Sequence, residues 1–161
     1  MGELQFDHAQ KVAAKLIANI QNVIVGKEGP VRLIVIALLS RGHILIEGAP
    51  GMGKTTLARS LALSIAGSFK RIQCTSDLLP SDVTGTYIYD QRDASFNFRP
   101  GPVMANLVLV DEINRASPRA QSAFLEAMEE RQISVDGITH NLPSPFLLIA
   151  TRNPYQHGGT F

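Results

Sequence analysis

The stretch Gly48-Ala-Pro-Gly-Met-Gly-Lys54-Thr55 decides the fold of this chain. It follows the apolar run His43-Ile-Leu-Ile-Glu47 and precedes a helix-forming segment that begins at Thr56. The order strand, G-x-x-x-x-G-K-[ST], helix is typical of a loop that binds the phosphates of a nucleoside triphosphate. Glycines let consecutive backbone N–H groups turn toward the phosphates, and the helix N-terminus adds partial positive charge. The loop residues predicted to bind nucleotide are Gly48, Ala49, Pro50, Gly51, Met52, Gly53, Lys54, Thr55 and Thr56.

Two side chains of this loop have chemistry of their own. Lys54 is placed to reach the β- and γ-phosphates, and the hydroxyl of Thr55 is placed to bind Mg²⁺. A bare Gly-rich turn would explain the glycines, but it would not explain the strand, the complete motif and the helix together. We therefore expect a nucleoside triphosphate and Mg²⁺ as ligands, and the motif alone does not specify the base.

The apolar run Asn106-Leu-Val-Leu-Val-Asp111 ends in two carboxylates, Asp111 and Glu112. An acidic residue at the carboxyl end of a strand beside the phosphate loop is expected to hold the Mg²⁺ side of the nucleotide. Asp111 fits that position, and Glu112 can then orient or deprotonate the attacking water. Asn153 ends the last apolar run and could reach the γ-phosphate, although an Asn before Pro154 is also typical of a turn.

Composition limits the other possibilities. The chain has 161 residues, 45% of them hydrophobic, enough for a core, and 15 basic against 14 acidic residues give a net charge of +1. That charge gives no reason to propose nucleic acid or an anionic membrane as a partner. Cys74 is the single cysteine and is assigned to packing. No apolar stretch reaches the roughly 18 to 20 residues that span a bilayer, and no secretion signal is recognisable, so a cytoplasmic location is the default.

Apolar periodicity predicts strands that alternate with helices, which is the α/β class with a parallel sheet. Asp7 and Gln10 suggest a capping box, and the second helix is apolar on every face, which predicts that it is buried. The predicted helices cover residues 7–24, 31–41, 56–67 and 118–130, and the predicted core strands cover residues 44–47, 71–75, 106–111 and 146–150. Two hairpins interrupt the alternation, one over residues 86–98 and one over residues 132–142 with Asp136-Gly137 at its turn.

Taken together, the motifs resemble those of an AAA+ ATPase core, and specifically of the MoxR family. Beside the phosphate loop, the segments with this resemblance are Ile24-Val-Gly26-Lys, Asp77-Leu-Leu-Pro-Ser-Asp-Val-Thr-Gly85, Arg99-Pro-Gly-Pro-Val103, Asp111-Glu-Ile-Asn-Arg-Ala116, Leu125-Glu-Ala-Met-Glu-Glu130 and Ala150-Thr-Arg-Asn-Pro154. They extend from about residue 20 to the end of the chain, in the order of the family. We therefore divide the chain into N-terminal helices over about residues 7–41 and a P-loop α/β part over about residues 43–161, within one core domain.

The resemblance implies several roles. Val25 and Gly26 would pack against adenine, Asp111 and Glu112 would form the metal and water site, and Asn153 would be the first sensor of the γ-phosphate. The two hairpins would point toward a ring channel or a client protein. The full-length protein would form a homo-oligomeric, hexameric ring that remodels or matures partner proteins. Arg115 could face a neighbouring subunit or form a surface salt bridge, and both remain open.

Two departures from the family pattern limit what the resemblance implies. Arg152 stands where the family usually has Gln, so no family role is transferred to it. The family also has a fifth strand, a helical lid and an arginine finger that would lie beyond Phe161, with the sheet order fifth, first, fourth, third, second. We expect these 161 residues alone to bind ATP, to hydrolyse it weakly and to self-associate through the first strand. The alternative is that Arg115, Arg119 or Arg152 replaces the finger.

Two further functions stay open. The chain could be a nucleotide-binding module with little or no turnover. It could also be a P-loop kinase, but Asp111-Glu112 suits activation of water better and no acceptor-binding lid is recognisable. A GTPase is disfavoured because no Asn-Lys-x-Asp motif is present.

Overall fold

The computed structural model describes residues 2–48 and 51–153. Within these residues, a parallel sheet of four strands has helices on both faces, and two antiparallel hairpins lie outside it. The helices are α1 (Gly2–Gln21), α2 (Glu28–Leu39), α3 (Lys54–Ser64), α4 (Pro80–Thr84) and α5 (Pro118–Glu130). The strands are β1 (Ile44–Glu47), β2 (Phe69–Gln73), β3 (Gly85–Asp90), β4 (Ser95–Pro100), β5 (Leu107–Asp111), β6 (Gln132–Val135), β7 (Ile138–Asn141) and β8 (Leu147–Arg152).

The parallel sheet has the strand order β1-β8-β5-β2. This is the predicted order of the first, fourth, third and second core strands. In parallel sheets the carboxyl ends of all strands meet at one edge, so Glu47, Gln73, Asp111 and Arg152 come together there. Within the part of the chain that the structure describes, β1 and β2 are the outer strands.

The central strand β5 divides two apolar layers, because successive side chains of a strand point to opposite faces. Leu107 and Leu109 pack with α1, α2 and α3, whereas Val108 and Val110 pack with α5 and the hairpins. All five residues of β5 are buried, as expected for a central parallel strand with helices on both sides.

Helix α5 begins as the sequence predicts. Ser117 is its N-cap, and its hydroxyl accepts a hydrogen bond from the backbone N–H of Ala120 at 3.3 Å. Pro118 is the first helical residue, where its missing N–H costs nothing. Helix α5 follows the Asp111-Glu112 segment along the chain and leads directly into the β6–β7 hairpin.

Two predictions about the N-terminal helices are wrong. Helix α1 already begins at Gly2, so Asp7 lies inside the helix and cannot cap it. The upstream residues Glu3, Leu4 and Gln5 are good helix formers and extend the helix past the predicted start. Helix α2 is not buried all round, because Leu33 and Ile36 are 64% and 59% exposed. Only one of its faces packs on the core.

None of the described helices is both long enough and apolar enough to cross a membrane.

Candidate functional site

A polar cavity of about 270 Å³ lies at the carboxyl edge of the parallel sheet. It receives side chains from the phosphate loop and from the ends of β2, β5 and β8. Its lining residues are Gly48, Gly51, Met52, Lys54, Thr55, Arg71, Gln73, Asp111, Glu112, Thr151 and Asn153. The structure therefore brings Lys54, Thr55, Asp111, Glu112 and Asn153 together around one cavity, as the sequence predicts.

The phosphate loop opens α3 directly at Lys54. Gly51 and Gly53 have φ of 81° and 80°, which is the left-handed region where a side chain would be strained. Lys54 Nζ donates a hydrogen bond to the carbonyl of Gly48 at 2.9 Å, so the ammonium group lies over its own loop. Ala49 and Pro50 lie outside the described residues. Thr56 is exposed on α3 and does not border the cavity.

Asp111 is the most buried charged group of the cavity, with a relative exposure of 8%. Its Oδ1 accepts a hydrogen bond from the Thr151 hydroxyl at 3.0 Å, and its Oδ2 pairs with Arg71 Nε at 2.6 Å. The carboxylate therefore has a fixed orientation between β8 and β2. An ionised carboxylate this deeply buried needs such partners.

Glu112 is held by its backbone as well as by its side chain. Its φ of 56° places it in the left-handed region, and its N–H donates to Thr151 Oγ1 at 3.1 Å. Its Oε2 accepts hydrogen bonds from Arg115 at 2.8 Å and from Gln73 at 3.2 Å. A non-glycine residue in this region is uncommon, and such backbone strain is concentrated at functional sites.

The arginines near the site have different partners. Arg115 is half-exposed and pairs with Glu112 of the same chain, which is the salt-bridge alternative left open by the sequence. Arg152 lies at the end of β8 and pairs with Glu47 at 3.7 Å, away from the cavity lining.

A second, more apolar cavity of about 540 Å³ adjoins the phosphate loop. Its walls come from α2, β1 and the start of α3, including Pro30, Leu33 and Leu57. Gly48, Met52 and Lys54 border both cavities, so the two cavities lie side by side at the loop. Gly26 lines this cavity, whereas Val25 is 86% exposed and does not.

Sequence reasoning missed three residues of the polar cavity: Arg71, Gln73 and Thr151. Thr151 lies near the end of β8, two residues before Asn153. A polar residue at the carboxyl end of a core strand could have been predicted to border the site. Arg71 and Gln73 flank Ile72 on β2, but Lys70 is also polar, and this pattern alone cannot show which polar side chains turn toward the cavity.

A model of the ATPase family associated with various cellular activities (AAA) matches residues 43–161. Chaperone MoxR1 of Mycobacterium tuberculosis is 46% identical over 147 residues, which cover 91% of this chain and 39% of that protein. The chain belongs to the MoxR family of AAA+ ATPases.

The chain is also similar to a second bacterial protein and to a solved structure. The uncharacterized protein YeaC of Bacillus subtilis is 54% identical over 147 residues, covering 91% of this chain and 46% of YeaC. The crystal structure of a proposed ATPase from Cytophaga hutchinsonii superposes with a TM-score of 0.83 at 39% identity. The match covers 100% of this chain and 50% of the Cytophaga hutchinsonii chain. This MoxR-family chain spans about half the length of the relatives that it matches, and its fold is that of an AAA+ P-loop core.

Proposed function

We propose that this chain is the ATP-binding and ATP-hydrolysing core of a MoxR-type ATPase. The observation that supports this most strongly is the convergence of Lys54, Thr55, Asp111 and Glu112 on one polar cavity. The adjoining apolar cavity has the character expected for a purine base. Gly26 is proposed to contact that base, with Val25 at the rim.

The residues present fit Mg²⁺. In the part of the chain that the structure describes, no group of three or more His, Cys, Asp or Glu residues could hold a metal. That is consistent with Mg²⁺, which is usually bound through one or two carboxylates together with substrate phosphates. The ion pair between Arg71 and Asp111 indicates that this carboxylate can bind a cation from the side of the cavity. Asp111 and Thr55 would hold the ion, which when bound neutralises negative charge on the phosphates.

We propose a separate role in hydrolysis for each of the other residues of the site. Lys54 and the loop N–H groups bind the phosphates, and Glu112 orients the attacking water and accepts its proton. Asn153 would contact the γ-phosphate from the end of β8. Thr151 donates to Asp111 and accepts from the N–H of Glu112, so one buried hydroxyl holds the carboxylate of Asp111 and the backbone of Glu112.

At the level of the whole protein, we propose a ring-forming ATPase that remodels or matures partner proteins. The name of the Mycobacterium tuberculosis relative, a chaperone, supports this class of function. One observation favours a second candidate, a nucleotide-binding module without turnover. Glu112 is held by Arg115 and Gln73, and these bonds compete with activation of water.

Replacing Glu112 with Gln tests the hydrolytic role. The amide keeps the shape of the side chain but cannot accept a proton as a base, so hydrolysis should fall by about 10² to 10⁴ while ATP binding is retained. Phosphate release and the affinity for a fluorescent ATP analogue would be measured in parallel. Glu129→Gln, at an exposed position of α5, is the matched control and should behave as wild type.

Hydrolysis by Glu112→Gln at the wild-type rate would show that Glu112 is not the base. Wild-type protein that binds the analogue but releases no phosphate would favour the second candidate.

A further inference from the structure

Arg71 occupies an unusual position for a surface arginine. It lies on the outer strand β2, and its Nε contacts Oδ2 of Asp111 at 2.6 Å. The side chain of Arg71 is 53% exposed, whereas that of Asp111 is 12% exposed. A buried carboxylate is therefore neutralised by a cation that has free access to solvent.

We propose that Arg71 is a positioning residue that pairs with Oδ2 of Asp111 and competes with Mg²⁺ for this carboxylate. The proposal rests on the proposed function, in which Asp111 serves the metal. Arg71 and Mg²⁺ are both cations that require the same carboxylate, so binding of one weakens binding of the other. The ion pair keeps Asp111 oriented and neutralised until Mg²⁺ arrives with the nucleotide.

The surroundings of Arg71 let it release Asp111. Its Nη2 already donates to Oε1 of Gln73 at 3.3 Å, so the guanidinium has a second partner at the edge of the same cavity. Because the Arg71 side chain is half-exposed, its guanidinium loses little free energy when it leaves Asp111, since water can solvate it. Asp111 also keeps its bond from the Thr151 hydroxyl, which holds the carboxylate in place during the exchange.

The same pair should influence nucleotide binding without metal. Arg71 compensates the negative charge of Asp111, which otherwise repels the phosphates across the cavity. Removing Arg71 should therefore weaken binding of metal-free ATP and strengthen the response to Mg²⁺. Both effects increase the thermodynamic coupling between Mg²⁺ and ATP. A purely structural role of Arg71 would not strengthen the response to Mg²⁺.

The experiment is a titration of a fluorescent ATP analogue, in EDTA and at increasing Mg²⁺, against wild type and three variants. The variants are Arg71→Gln, Arg71→Lys and the control Lys70→Gln, which changes the exposed neighbour on β2 that does not border the cavity. For Arg71→Gln we expect about tenfold weaker binding in EDTA and a Mg²⁺ midpoint lowered about tenfold, the size of one charge-assisted contact. Arg71→Lys keeps the charge and should lie between wild type and Arg71→Gln.

Two results would overturn the proposal. A Mg²⁺ midpoint for Arg71→Gln that equals that of wild type and Lys70→Gln would show that Arg71 does not compete for Asp111, while leaving the proposed function intact. If wild-type protein binds the analogue neither in EDTA nor with Mg²⁺, the proposed function and this proposal are both wrong.

Discussion

At the scale of single residues, the reactivity of Cys74 is set by its surroundings, although Cys74 does not line the polar cavity. Cys74 directly follows β2, is fully buried, and its N–H donates to the carbonyl of Asp111 at 2.9 Å. Burial, followed by the negative charges of Asp111 and Glu112, raises the pKa of its thiol to about 11. Since the thiolate is the reactive form, Cys74 should be inert, in agreement with its assignment to packing.

We predict that native protein does not react with a maleimide at about pH 8, whereas protein unfolded in urea reacts within minutes. The raised pKa also makes unfolding easier in alkali, because above the ordinary value of 9.0 the unfolded thiol releases a proton that the folded thiol keeps. Cys74→Ala, which lacks the thiol, should lose this part of the alkaline sensitivity. Rapid labelling of the native protein would contradict the burial described above.

The sequence alone predicts those residues of the site that are close to one another along the chain. Lys54 and Thr55 follow from the loop motif, and Asp111 and Glu112 from the end of one apolar run. The partners of these residues could not be predicted, because Arg71 and Asp111 meet across 40 positions of sequence. Which face of a strand turns inward depends on packing that no local pattern records.

At the scale of elements, His43 joins three parts of the fold. Its Nε2 lies 3.2 Å from the carbonyl of Met128 at the end of α5, and its Nδ1 lies 3.0 Å from the backbone nitrogen of Leu148 on β8. The neutral ring fits both contacts, donating from Nε2 and accepting at Nδ1. Burial is the main cause of its lowered pKa, and the positive charge of Arg131 adds to the effect, against a contribution from the Met128 bond that raises it.

This predicts a loss of stability in mild acid. Below the ordinary pKa of 6.5 the unfolded state binds a proton at His43 that the folded state does not, so the free energy of unfolding falls as the pH drops through 6.5. Urea unfolding at about pH 7.5 and about pH 5.5 measures the change. His43→Gln should reduce the dependence on pH, whereas His8→Gln, at an exposed position of α1, should leave it unchanged. If the free energy of unfolding changes equally between the two pH values in wild type and in His43→Gln, His43 is not the cause of the pH dependence.

The two inserted hairpins are joined by one aromatic cluster. His140 of the β6–β7 hairpin stacks on Phe98 of the β3–β4 hairpin, with ring centroids 3.8 Å apart and planes at 15°. Its Nε2 also lies 3.2 Å from the hydroxyl of Tyr87. These contacts tie the hairpins together at their inner ends, so we expect them to move as one unit.

We predict that His140→Ala separates the motions of the hairpins at a stability cost of about 1 kcal/mol, the usual value of such an aromatic pair. Amide hydrogen exchange should accelerate over residues 85–100, although the substitution lies in the other hairpin. The control is Thr139→Ala, at the exposed neighbouring position of β7. Unchanged exchange in the β3–β4 hairpin of His140→Ala would show that the hairpins are independent.

The elements themselves were largely predictable. The four core strands and α5 lie within about two residues of their predicted bounds, and both hairpins are present. The prediction for α2 was wrong because its sequence is apolar on every face, and apolar content cannot show how many faces a helix buries. Leu33 is instead part of the wall of the apolar cavity beside the loop.

At the scale of the whole molecule, the parallel sheet makes the site by bringing the ends of four strands to one edge. The alternation of strands and helices predicts this sheet, and the family resemblance supplies its strand order. The structure adds the outer position of β1 within the described part of the sheet, with Leu45 56% exposed. Self-association through β1 stays a prediction, as do the ring and the client protein.

The central claim is that this assembled edge binds Mg²⁺–ATP through the phosphate loop. Calorimetric titration of wild type and Lys54→Ala with Mg²⁺–ATP tests it most directly, with Lys70→Gln as a control that removes a lysine outside the cavity. Lys54 is a positive charge among backbone donors, so its loss should weaken binding by about tenfold to a hundredfold, while the control binds as wild type does. Equal affinities of wild type and Lys54→Ala, or no binding to wild type, would contradict the account.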